Sequence, residues 1–152
     1  MNITFASLLE KALQLVSSEK SDQTVLFEIT TLLEQEVAHY NWVGFYTLDK
    51  PNAMLRLGPF SGLTSEHTEI PVVKGVCGQV ALSLKPKIVQ DVRKEDNYIA
   101  CSLDVKSEIV IPILKNGEFV AEIDIDSNTP SPFTADDEQF LVALCDALAN
   151  RF

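Results

Sequence analysis

The sequence predicts an α+β sandwich in which N- and C-terminal helices flank a central, mostly antiparallel sheet. Three observations carry this. Apolar residues recur at helical spacing over the first forty positions, strand-like runs separated by turn clusters fill the middle, and an amphipathic stretch closes the chain.

The elements follow in order. Phe5, Leu8, Leu9, Ala12, Leu13 and Val16 mark a first helix, with Asn2 or Thr4 as its cap. Ser21-Asp22 restarts the pattern, with Val25, Leu26, Ile29, Leu32, Leu33 and Val37 on one face. The aromatic, β-branched run Trp42 to Leu48 predicts a strand, Asp49-Lys50-Pro51-Asn52 a turn, and Met54 to Pro59 a returning strand. Thr68 to Val72 reads as an edge strand, because Pro71 has no N–H for a ladder. A short helix runs from Gly75 through Leu84, and Lys87 to Val92 is strand-like. Arg93 to Lys106 is polar and irregular and holds Cys101.

Asn116-Gly117 marks a hairpin within 107–127. A three-residue loop that pairs Leu114 with Glu118 places Ile109, Ile111, Ile113, Phe119, Ala121, Ile123 and Ile125 on one face, so that register is expected. It sets Glu108 opposite Asp124. Thr134 caps the last helix, and Asp136, Asp137 and Glu138 suit its positive end. Phe140, Leu141, Leu144, Cys145 and Leu148 form its buried stripe.

With 152 residues, 46% hydrophobic and 22% charged, the chain can bury a core as one domain, with helices over 1–40, sheet and loops over 41–133, and a closing helix over 134–152. Twelve Lys and Arg against 22 Asp and Glu leave a net charge of −10. Such a surface repels phosphate backbones and anionic lipid, which disfavours nucleic acid and membrane partners. No apolar run approaches the ~20 residues of a membrane span. The first twenty residues carry Glu10, lack a basic leader region and read as a helix of the mature protein. Three cysteines, an odd number, argue against a disulfide scaffold and suit a reducing cytoplasm. Two histidines and no Cys-x-x-Cys pair make a metal site an unexpected feature.

Candidate chemistry starts with the carboxylates. Asp124 and Asp126 share one face of a strand, and the hairpin brings Glu108 beside them. Crowded like charges push at least one pKa upward, which would let the site bind an ammonium or hold a proton for general-acid work. The plain alternative is a solvated acidic sheet face. Cys77, in Lys74-Gly75-Val76-Cys77-Gly78, lies just inside a helix N-terminus, a position that lowers a thiol pKa; its plain reading is a small packing residue. Cys101 lies in a polar loop, where reactive residues concentrate, and Cys145 lies on an apolar stripe as inert core. Trp42 and Tyr46 share one strand face and either wall a small pocket or fill the core. No nucleophile elbow, P-loop or G-x-G-x-x-G is present.

Six motifs in order, Asn41-Trp42-Val43-Gly44-Phe45-Tyr46, Leu57-Gly58-Pro59-Phe60-Ser61-Gly62, Lys74-Gly75-Val76-Cys77-Gly78, Ile99-Ala100-Cys101, Ser107-Glu108-Ile109-Val110-Ile111-Pro112 and Ile123-Asp124-Ile125-Asp126-Ser127, resemble the GAF-domain free methionine-(R)-sulfoxide reductases. The resemblance implies a single GAF domain, commonly a homodimer, that reduces free methionine R-sulfoxide without metal or organic cofactor. It implies Cys101 as the nucleophile, Cys77 as the family's second cysteine, and Glu108, Asp124 and Asp126 as the acidic residues that hold and activate the substrate. Trp42 and Tyr46 correspond to the aromatic wall near the substrate methyl group. A sulfenic acid on Cys101 would then be cleared by a thiol, with thioredoxin-type reductants as partners. The chain departs from the family where a resolving cysteine usually stands ten residues before Cys77: here that residue is His67. The resemblance leaves open a non-catalytic GAF binding module and a thiol redox sensor.

Overall fold

The computed structural model describes residues 3–99 and 104–152. Two helices, α1 (Ile3–Val16) and α2 (Asp22–Glu36), precede β1 (Trp42–Asp49), β2 (Met54–Ser61) and β3 (Glu69–Pro71). Helix α3 (Gly75–Ser83) and strand β4 (Lys87–Val89) lead to the long hairpin β5 (Ser107–Lys115) and β6 (Glu118–Ser127), and α4 (Ala135–Leu148) closes the fold. The six strands form one antiparallel sheet in the order β3-β2-β1-β6-β5-β4. Strand β3 lies at an edge, where Pro71 leaves no ladder bond unmade.

Helices α1, α2 and α4 cover one sheet face. Their apolar stripes meet Val43 and Phe45 of β1, Ile109, Ile111 and Ile113 of β5, and Ala121, Ile123 and Ile125 of β6 in the main core. Phe5 stacks on Phe140 at 5.0 Å between ring centroids, which locks α1 to α4. The helix ends are closed by side chains. Ser21 caps α2, and Thr134 and Asp137 make a reciprocal capping box on α4. Arg151, beyond α4, donates to the carbonyls of Val16, Ser18 and Lys20, satisfying acceptors that the end of α1 leaves unpaired. Thr4 lies within α1 and is not its cap; Asn2 lies outside the described residues. Among the described residues, no helix is long and apolar enough to cross a membrane.

The hairpin departs from the expected register. Lys115 pairs with Glu118 across a two-residue Asn116-Gly117 turn whose residues both have positive φ, 55° and 80°. Pairing then shifts between Ile113 and Leu114, so that Leu114 faces Phe119 while Ile113 faces Ala121. Val120 is the extra residue of this bulge. The bulge restores the apolar face for Ile109, Ile111, Ile113, Ala121, Ile123 and Ile125, but sends Phe119 to the opposite cluster. It also sets Glu108 opposite Asp126 rather than Asp124, which pairs with Val110.

Candidate active site

The second sheet face carries the chemistry. Along β6, Glu122, Asp124 and Asp126 alternate with the isoleucines of the main core, so all three point away from it. Glu108 of β5 joins them, and Trp42, Gly44 and Tyr46 of β1 lie directly opposite Asp126, Asp124 and Glu122. Helix α3 packs over this face and places Cys77 among the carboxylates. Glu108, Glu122, Asp124 and Asp126 are each at most 5% exposed. This is no solvated acidic face: four carboxyl groups are buried in one row.

Burial raises the pKa of two of them. It holds Glu122 well above the usual carboxylate range, and the charge of Asp124 adds to the effect. Burial also raises Asp124, although hydrogen bonds with Glu108 and Cys77 pull the other way. Neither oxygen of Glu122 has an N–H or O–H donor in reach among the described residues; the group it faces is the Cys77 sulfur. Cys77 Sγ lies 4.0 Å from Glu108 Oε2. The expected lowering of the Cys77 pKa is reversed: burial, then the charges of Asp124, Glu122 and Glu108, push the thiol well up. The helix N-terminus is outweighed because desolvation and three carboxylates all oppose a thiolate there.

Trp42 and Tyr46 are 6% and 0% exposed. Tyr46 Oη donates to the His67 carbonyl at 2.8 Å and Trp42 Nε1 donates to the Leu63 carbonyl at 3.0 Å, so the loop after β2 hangs on these two rings. The Trp42 indole stacks on Phe60 and lines a cavity of about 290 Å³ together with Asn41, Leu63, Ser65, Val105 and Asp126. A second space of about 10 Å³ lies between Cys77, Glu108, Asp124 and Ile99. The structure thus brings together Trp42, Tyr46, Cys77, Glu108, Asp124 and Asp126. Cys101 lies outside the described residues, but its described neighbours Ile99 and Asp104 border the small and the large cavity respectively. Cys145 is buried in the main core on α4.

The sequence puts Glu122 on the same strand face as Asp124 and Asp126 without making it a site residue, and gives no site role to Asn41 or Ser65. The signal for Glu122 is that it continues the two-residue alternation of Asp124 and Asp126. Ser65 comes to the cavity from a loop that no periodicity describes.

A six-stranded antiparallel sheet with helices on one side and a small-molecule pocket on the other defines a GAF-type domain. The chain matches the GAF domain family over residues 22–152 and belongs to it. Within that family it is closely related to the free methionine-R-sulfoxide reductases. It is 36% identical to the free methionine-R-sulfoxide reductase of Escherichia coli (strain K12) over 127 residues, 84% of this chain and 75% of that one. The free methionine-R-sulfoxide reductase of Neisseria meningitidis, solved in complex with its substrate, superposes with a TM-score of 0.92 at 32% identity, covering 97% of this chain and 87% of that one. The substrate complex of the Staphylococcus aureus enzyme gives a TM-score of 0.87 at 33% identity, with 97% and 94% covered.

Proposed function

We propose that this protein reduces free methionine R-sulfoxide to methionine through Cys101. The observation that carries the reading is the buried carboxyl row beside the Trp42-lined cavity, in a chain closely related to reductases of that substrate. A sulfoxide is a poor electrophile until its oxygen is protonated. Burial pushes the Glu122 and Asp124 carboxyls upward, which favours an acid where that oxygen would sit. Glu108 and Asp126 take the substrate ammonium, and Trp42, with Tyr46 behind it, offers an apolar wall to the methyl group.

The Cys101 thiolate attacks the sulfoxide sulfur while a carboxylic acid supplies a proton to the oxygen. Oxygen passes to Cys101, which becomes a sulfenic acid, and the sulfoxide leaves as the thioether methionine. A thiol then condenses with the sulfenic acid, releasing water and leaving a disulfide. Cys77 is the internal candidate for that thiol. Its raised pKa makes it a slow nucleophile, which favours an external thiol, and a thioredoxin-type dithiol is the reductant of this reading. A homodimer belongs to the same reading by family resemblance.

The test is methionine release from free methionine R- and S-sulfoxides, with dithiothreitol and separately with thioredoxin. Turnover of the R form, lost by more than about a thousandfold in Cys101→Ser, is expected. A folded protein that binds methionine sulfoxide with no release under either reductant would overturn the enzyme and leave a binding module.

A further inference from the structure

We infer that Cys77, Glu108 and Asp124 form a binding site for one thiophilic divalent cation of the zinc class. Their ligand atoms, one sulfur and two carboxylate oxygens, all lie within 4.8 Å of one another. Each comes from a different packed element, α3, β5 and β6, so the set is held by the fold and not by a loop. The same three side chains bound the cavity of about 10 Å³, the room one water-sized particle needs.

A second observation points to a ligand. Glu122 is fully buried, faces the Cys77 sulfur, and has no N–H or O–H donor in reach of either oxygen among the described residues. Asp124 is 1% exposed and bonds within the trio to Glu108 and Cys77, but its Oδ1 atom has no hydrogen-bond partner among the described residues. Buried oxygens without donors cost free energy that a bound cation would recover.

The donor set selects the metal. One thiolate and two carboxylates suit an ion that takes three protein ligands and leaves a fourth position open; Ca²⁺ asks for six to eight oxygens and Mg²⁺ for an octahedron of oxygens and water. Zinc bonds of roughly 2.3 Å to sulfur and 2.0–2.2 Å to oxygen set neighbouring donors about 3–4 Å apart. The 4.0 Å between Cys77 Sγ and Glu108 Oε2 is already near that spacing. Binding is balanced by protons: the Cys77 S–H gives up its proton as the metal–sulfur bond forms, and a protonated carboxyl ligand releases its own. Ile99 is the one lining residue that is not buried, and it marks the way in.

One consequence rests on the proposed function. A cation here removes the protons the reduction needs and withholds Cys77 from any disulfide, so metal occupancy and turnover exclude each other.

The site is tested by titrating the reduced, full-length protein with Co²⁺ in the absence of substrate. One Co²⁺ per chain is expected, with a thiolate-to-cobalt charge-transfer band that Zn²⁺ abolishes by displacement. The band should persist in Cys101→Ser and Cys145→Ser and vanish in Cys77→Ser. Asp124→Asn and Glu108→Gln, checked for native circular dichroism, should weaken Co²⁺ by about tenfold or more. No band in the wild type, a band that survives Cys77→Ser, or one lost in Cys101→Ser would overturn the site. If Cys77→Ser does not fold, unchanged Co²⁺ affinity in Asp124→Asn overturns it instead. Sulfoxide turnover is measured separately, so a chain that shows the band without turnover retains the site and loses only the proposed reaction.

Discussion

Trp42 can lie flat across β1 because position 44 has no side chain. A Cβ at Gly44 would stand 2.7 Å from the indole Cζ3 and closer still to Cη2. The ring is otherwise held by its Nε1 hydrogen bond to Leu63 and by stacking on Phe60 at 5.7 Å. Gly44→Ala must therefore move the indole into the cavity or out of its stack. Overpacking of this kind costs about 1–3 kcal/mol. Chemical denaturation should show that loss, and KM for the sulfoxide should rise as the apolar wall shifts; unchanged stability and KM would mean that the ring is not fixed by this contact. Cys77 makes the opposite point. Its place near a helix N-terminus reads as activation in the sequence, yet burial, and then three carboxyl groups from distant strands, raise its thiol. No local pattern can weigh a helix end against partners that arrive 31, 45 and 47 positions later.

At the scale of elements, the sequence carries most of the architecture. The helices over 3–16 and 22–36, the aromatic strand from Trp42, the edge strand ended by Pro71, and the capped helix after Thr134 all stand where periodicity, turn residues and capping place them. The hairpin shows where that reasoning stops. Its apolar face demands one parity, and a loop of three residues satisfies it as well as a loop of two with a bulge at Val120. Asn116-Gly117 favours the tight turn because both residues tolerate positive φ, so the slip is made up further along the strand. The difference matters to the site: Glu108 moves from opposite Asp124 to opposite Asp126, so Asp124 stands diagonal to it, and the Cys77 sulfur lies within 4.8 Å of both. Capture of the carboxyl row itself needed only the two-residue alternation. Its burial needed α3, whose position over the sheet is a tertiary fact.

For the whole molecule, the buried row makes stability depend on pH. Glu122 and Asp124 have raised folded values against ordinary values of 4.5 and 3.8. Their contribution is therefore fully present below those ordinary values and is lost as pH rises through the raised ones. Asp137 acts in the opposite sense. Burial pushes it up, but bonds with His39, the Thr134 N–H and Tyr40 outweigh that and hold it below 3.8, so its contribution is lost only as pH falls through that lowered value. The metal-free protein should thus melt several degrees higher near pH 5 than near pH 8. In Asp124→Asn that slope should flatten, with Tm at pH 8 raised by ~2–4 °C for each kcal/mol recovered. A Tm that climbs from pH 5 to pH 8, or a variant that melts lower at pH 8, would contradict the raised values of Glu122 and Asp124.

The most direct measurement is a single turnover without reductant. Reduced protein is mixed with excess free methionine R-sulfoxide, methionine is counted, and the cysteines are mapped by mass spectrometry after a sulfenic-acid trap. The account predicts one methionine per chain, with the oxidised sulfur on Cys101 as a trapped sulfenic acid or as a Cys77–Cys101 disulfide. Methionine formed with Cys101 still reduced, or no methionine from protein that holds the sulfoxide in its cavity, would contradict it.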